Sequence, residues 1–224
     1  MKKLFIPILF AVLIPTSFSC STLKNYTLNE ADATAAIRQL LSLGTNSSLT
    51  GAFSKEMIMA TLFPESVRKA LNTLDQLGLT SEVDRFTTTL STAAEASAQR
   101  SVPIMVNAIT GMRITDAIRL VRAGGTAATD YLRATAGADV RRAITPVMAD
   151  ALQQYKLVDQ WNKLISPVKS LFGNRVNIDL PTLTAGMVSE AMFRKIAEKE
   201  QEVRNNASAR TTRLLRQVFA GNYR

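Results

Sequence analysis

Histidine is absent from the 224 residues and cysteine occurs once, at Cys20. A His-based triad, a neutral-pH imidazole base and a histidine-containing metal site are therefore excluded. Any chemistry falls to carboxylates, Ser, Thr, Tyr, Lys and Arg. No G-x-S-x-G elbow, phosphate-binding loop or calcium-loop spacing arranges them. The sequence implies no cofactor and no metal, and the expectation is that the protein is not an enzyme.

Three places still juxtapose groups able to hold or transform a ligand. Glu95 sits in AAEASA, Ala93 to Ala98, on a helix read as buried on both sides, where an ionised carboxylate needs a partner. The plainer reading is that Glu95 faces solvent or pairs with Arg100. Gly124-Gly125-Thr126 stands just before a helix start, where unbonded amides and the helix dipole attract an anion. The plainer reading there is that the glycines end one helix and turn the chain into the next, with Asp130 and Arg133 as an ordinary i, i+3 pair. Glu200 continues the apolar stripe Val188, Met192, Ile196, with Arg204 at i+4 to neutralise it and Arg210 on the apolar side of the final helix. A buried Glu–Arg network that fixes how the last two helices pack is the favoured reading; Arg204 and Arg210 clamping a ligand carboxylate is the sharper one.

The elements that must position these groups are all helical. Ten glycines and seven prolines among Ala-, Leu- and Arg-rich segments favour helix over sheet, and the hydrophobic fraction of 46% supports one sizeable core. Asn29 is expected to cap a helix to Leu43, with Glu30 and Asp32 in its first turn and Gly44 just past its end. Thr45 to Phe53 reads as a loop, and Ser54 caps a brief helix that halts before Pro64. Val67, Ala70, Leu71, Leu74 and Leu77 form the clearest amphipathic stripe. A long helix follows from Thr80 or Ser81, with Val83, Phe86, Leu90, Ala93, Ser97, Ser101, Ile104 and Ala108 inward and a kink at Pro103. Its small residues make Ser91 to Arg133 the stretch where helices are expected to approach most closely.

Asp116 opens a short helix ending at Gly124-Gly125, and Thr126 another through Tyr131. Ala138 to Tyr155 is expected to be helix interrupted by Pro146; Leu157 to Ile165 carries Trp161; Pro167 to Asn177 reads as a loop. Asp179 caps a helix from Leu180 to about Arg204, and a last helix begins at Asn206 or Ser208 and runs through Phe219.

At the N-terminus Lys2 and Lys3 precede an apolar run, Leu4 to Ile14, then small residues up to Cys20. That is the layout of a secretory signal peptide, with Cys20 placed as the lipidated residue of a lipobox; Ser17 stands where Leu is usual, a departure that lipoproteins of the Bacteroidetes type tolerate. The expected organisation is a signal peptide over 1–19, a lipidated cysteine and tether over 20–28, and one all-α, bundle-like domain over 29–224. Acylation of Cys20 would hold the protein on the periplasmic face of the outer membrane. The net charge is +9, and without Lys2 and Lys3 it is +7, with Lys and Arg interleaved with acids as in Glu198, Lys199, Glu200, Glu202 and Arg204. That pattern is a solvated helix face and no nucleic-acid patch. Arg210, Arg213 and Arg216 come nearest to a one-sign cluster, so a basic last helix binding a membrane surface is a further expectation.

The order of AAEASA, Pro103, Asp116-Ala117, GGTAATDYL from Gly124 to Leu132, Trp161, Phe193, the acidic run Glu198 to Glu202 with Arg204, Ala209-Arg210-Thr211-Thr212 and Val218-Phe219 resembles a bacterial family known as domain of unknown function 4197. The likeness spans roughly Lys55 to Ala220. It implies a helical, exported, often lipidated protein with no assigned activity. The function expected is non-catalytic binding of an envelope protein or small anionic ligand by a lipid-anchored domain; a ligand carrier or carboxylate-dependent enzyme built on the Glu/Arg cluster is the alternative.

Overall fold

The computed structural model describes residues 26–47, 49 and 51–221. Cys20 and the signal-peptide expectation lie outside the described residues. Among those described there is no strand, and one continuous hydrophobic cluster gathers residues from Leu28 to Phe219.

Local signals set most helix starts. Helix α1, Glu30–Thr45, begins where the Asn29 side chain accepts from the Asp32 amide. Ser54 accepts from the Met57 amide to start α2, Lys55–Met57, which widens into a π-turn over Ile58–Leu62. Phe63 is extended before Pro64, and α3, Glu65–Gln76, buries Val67, Ala70, Leu71 and Leu74. Leu77, expected on that stripe, is instead 60% exposed, because the helix ends one residue before it and the chain turns through Gly78 at φ +84°.

Helix α4, Thr80–Gly111, has 32 residues and contains Pro103. Its buried stripe runs through Ser97, Ser101, Met105 and Ile109, and not through the expected Ile104 and Ala108. Steps of four exceed one turn of 3.6 residues, so the buried face moves around the axis along the helix. Helix α5, Ala117–Ala123, is capped by the Asp116 carboxylate on the Arg119 amide. Helix α6, Ala127–Gln154, is a single 28-residue element through Pro146, where an interruption was expected. Its flanks are packed against α4 and the later helix Leu180–Asn205, and that packing offsets the ~3 kcal/mol a mid-helix proline costs.

Helix α7, Leu157–Ile165, presents Trp161, whose ring stacks on Phe63 and tilts against Phe86. The expected loop over 167–177 is mostly short helical turns, including α8, Lys169–Phe172. Helix α9, Leu180–Asn205, is capped by Asp179 and packs against α1, α4 and α6. The last helix, α10, is Arg213–Phe219, shorter than expected and capped by Thr212 on the Leu215 amide. Arg210 therefore lies before it, in the connection, rather than on its apolar side. Leu215, Val218 and Phe219 are buried and Leu214 is half-buried, so α10 spends its apolar face on the core.

One tight crossing lies outside the stretch expected to provide it. Gly44 is in the last turn of α1, not beyond it, and a Cβ there would come within 2.6 Å of the Ile196 Cα on α9. Only glycine lets the two backbones meet at that distance.

Candidate functional site

Helix α6 starts without a side-chain cap from its own N-terminal residues. Gly124 and Gly125, at φ +74° and +54°, end α5 and swing the chain over, as the plainer reading has it. The Thr126 hydroxyl donates to the Asp130 carboxylate and caps no backbone amide. The Ala127 amide donates to the Gly124 carbonyl, which leaves the Ala128 and Thr129 amides for whatever anion can reach them.

That anion belongs to the protein. Glu200 on α9 accepts from the Ala128 amide at 3.0 Å and the Thr129 amide at 2.8 Å, and the Thr129 hydroxyl donates to it at 2.6 Å. The anion site read from Gly124, Gly125 and Thr126 is thus filled from within, by a carboxylate whose side chain has no exposed surface. Arg204, one turn along α9, donates to Glu200 Oε1 from Nε at 2.9 Å and from Nη2 at 2.8 Å. It also donates to the Val121 carbonyl at 2.7 Å and the Leu120 carbonyl at 2.9 Å, at the C-terminal end of α5. One ion pair therefore satisfies the negative end of α5 and the positive end of α6 where the chain reverses between them. The Arg204 guanidinium lies 5.2 Å over the Phe219 ring, with its side chain only 7% exposed.

Arg210 repeats the pattern at the end of α9, donating to the Val203 carbonyl at 2.9 Å and the Arg204 carbonyl at 2.8 Å. The hydrogen bonds of the network tie α9 to α5 and α6; the last two helices meet in it only where the Arg204 guanidinium lies over Phe219. Arg204 directs four hydrogen bonds at protein oxygens out of the five N–H groups a guanidinium carries. A surface hollow of about 360 Å³ lies beside it, lined by Arg122, Gly124, Gly125 and Phe219 among others.

Glu95 stands apart from this cluster. It is half-buried, not buried on both sides, and accepts from the Gly51 amide at 3.0 Å, while Arg100 reaches Gln154. The loop before α2 supplies that partner from 44 positions away. Asp130 and Arg133 do not pair: Asp130 takes the Thr126 hydroxyl, and Arg133 bridges to Glu190 on α9 and lies over Phe193.

Residues outside the sequence-based set play the same part. Glu30 accepts from the Ala117 amide at 2.9 Å, capping α5 from α1, and Arg38 donates to the Met112 carbonyl at the end of α4. Arg68 donates to the Phe63 carbonyl after the π-turn. Glu30 was legible only as an acid in the first turn of its own helix; nothing in the spacing names a partner 87 positions away. Among the described residues no group of three or more His, Cys, Asp or Glu forms a metal site, and no helix is long and apolar enough to cross a membrane.

The segments that carry the family resemblance are largely those that build this junction: Gly124 to Leu132, Glu198 to Arg204 and Ala209 to Thr212. No curated protein and no solved structure matches the chain significantly. A family model does match, beginning earlier than the expected Lys55 and so taking in α1. Over residues 27–220 it is that of the family described as protein of unknown function (DUF4197), and the chain belongs to that family.

Proposed function

We propose that the protein is a lipid-anchored module on the periplasmic face of the outer membrane that binds another envelope component and performs no chemistry of its own. The observation that carries the non-catalytic reading is the commitment of Glu200, Arg204 and Arg210 to backbone groups at the ends of α5, α6 and α9. A general acid or base must reach a substrate proton, and Arg204 keeps only one N–H without a protein acceptor for a carboxylate clamp. Glu200 takes five hydrogen bonds, all from protein donors. The anchoring half of the reading rests on Lys2, Lys3, the apolar run from Leu4 to Ile14 and the position of Cys20. The buried apolar face of α10 supports an acyl anchor over a surface-lying helix as the route to the membrane.

The test is metabolic labelling with an alkynyl fatty acid in a Gram-negative host expressing the full chain or its Cys20→Ser variant, followed by membrane fractionation and in-cell cross-linking. Wild type should take the label, fractionate with the outer membrane and form adducts of discrete mass. Label on the Cys20→Ser variant, or none on wild type, would sink the anchor. Labelled wild type that never cross-links to another envelope component would sink the binding role.

A further inference from the structure

A cleft of about 320 Å³ lies between the first turns of α4 and the C-terminal half of α7, away from the Glu200 junction. Its size is at the lower end for small-molecule sites. Leu79, Phe86 and Leu164 supply the apolar lining, and Phe86 and Leu164 are buried in the core.

The polar lining is lopsided. Arg85 and Lys163 both border the cleft. Among the described residues neither side chain makes an ion pair or a hydrogen bond, whereas just over half of the cations elsewhere are engaged with carboxylates or carbonyls. Glu82 is the one carboxylate in the lining; it accepts from the Ser81 hydroxyl and lies one turn from Arg85. Two unspent cations against one carboxylate, over an aromatic and aliphatic floor, match a molecule with an apolar body and a single negative head.

We propose that this cleft binds a small amphipathic anion, its head held by Arg85 and Lys163 and its apolar part against Phe86 and Leu164. The proposal is independent of the anchor and of the reading of the Glu200 network. A reporter is built in. Trp161, the one tryptophan, has its ring centroid 5.4 Å from that of Phe86, so a body lodged on Phe86 alters its surroundings.

The experiment titrates the full chain carrying Cys20→Ser, prepared without detergent, with octanoate, octyl phosphate and octylammonium below their micelle concentrations. Trp161 emission and calorimetry are read together. Saturable binding of either anion, with the amine inert, supports the proposal, and the tighter anion identifies the head as carboxylate or phosphate. Arg85→Ala/Lys163→Ala should bind about tenfold more weakly at an unchanged melting temperature, and Arg85→Lys/Lys163→Arg should keep the affinity. Binding of the amine as strong as that of the anions, no saturable binding by either anion, or full affinity in the double-alanine variant would overturn it.

Discussion

Removing the Glu200 carboxylate is the perturbation whose consequence follows most directly from the geometry. Glu200→Ala leaves the Arg204 guanidinium without its counter-ion in a place where its side chain is 7% exposed, and orphans the Ala128 and Thr129 amides. Stripping one partner from a buried ion pair costs about 3–5 kcal/mol, against a stability of about 5–15 kcal/mol for a typical domain. For a chain of this size that corresponds to a fall of about 6–20 °C in melting temperature. Glu200→Gln should not rescue it. Both oxygens face donors, so the side-chain amide must turn its NH₂ toward either Arg204 and the Ala128 amide or the Thr129 amide. Arg204→Ala should cost about as much as Glu200→Ala, and Arg210→Ala less, near 1–2 kcal/mol, since Arg210 meets only carbonyls. The double variant Glu200→Ala/Arg204→Ala should fall short of the sum of the singles by at least about 2 kcal/mol, because it leaves no unpaired charge. Urea denaturation followed by circular dichroism and Trp161 emission reads all of these. A Glu200→Ala melting temperature within about 2 °C of wild type, or strictly additive singles, would refute the reasoning.

Two of the helical glycines should respond in opposite directions. Gly44→Ala pushes a methyl against the Ile196 backbone and should destabilise by about 1–3 kcal/mol despite better helix propensity. Gly137→Ala, whose added Cβ meets nothing nearer than 3.6 Å, should stabilise by up to about 1 kcal/mol; thermal melts of the pair check both. Glu95→Ala should leave the global melting temperature nearly unchanged while speeding hydrogen exchange at the Gly51 amide, which its carboxylate holds. The hydrogen bond that Lys55 donates to Asp84, opposed by desolvation, holds its ammonium above the usual lysine value of 10.5. A raised folded-state value means that the pair's contribution is complete below the usual lysine range and is lost as pH rises through the folded value. Asp84→Asn should lower the Lys55 value from its raised position, as read by NMR of the lysine side chain.

The parts of the fold that were legible in the sequence are those written within one turn. Asn29, Ser54, Asp116 and Asp179 each cap an amide three residues on, and Val67 to Leu74 repeat at helical period. Glu200 was legible as inward-pointing, with Arg204 beside it, because both follow from one helix phase. What Glu200 touches was not: the amides it caps lie 71 and 72 positions away, and no spacing rule encodes that distance. The glycines before α6 announced an unsatisfied helix start but could not say that the anion was the chain's own. Pro146 was read as a break because propensity is local, whereas its helix is held by neighbours on both sides. Gly44 was read as a helix stop because a glycine near a helix end usually is one. Its packing reason, the backbone of Ile196, lies 152 positions later on another helix.

Amide hydrogen exchange at Ala128 and Thr129 tests most directly whether the charged cluster serves the fold. These amides fall in the first turn of α6, where no helical carbonyl is available, and the N-cap Thr126 makes no side-chain bond to them. If Glu200 fills the site, both should be protected to the level of the helix interior in wild type and lose that protection in Glu200→Ala at temperatures where the rest of α6 keeps its own. Exchange at near-unprotected rates in wild type would mean that the helix end is open to an outside anion, and would contradict the account.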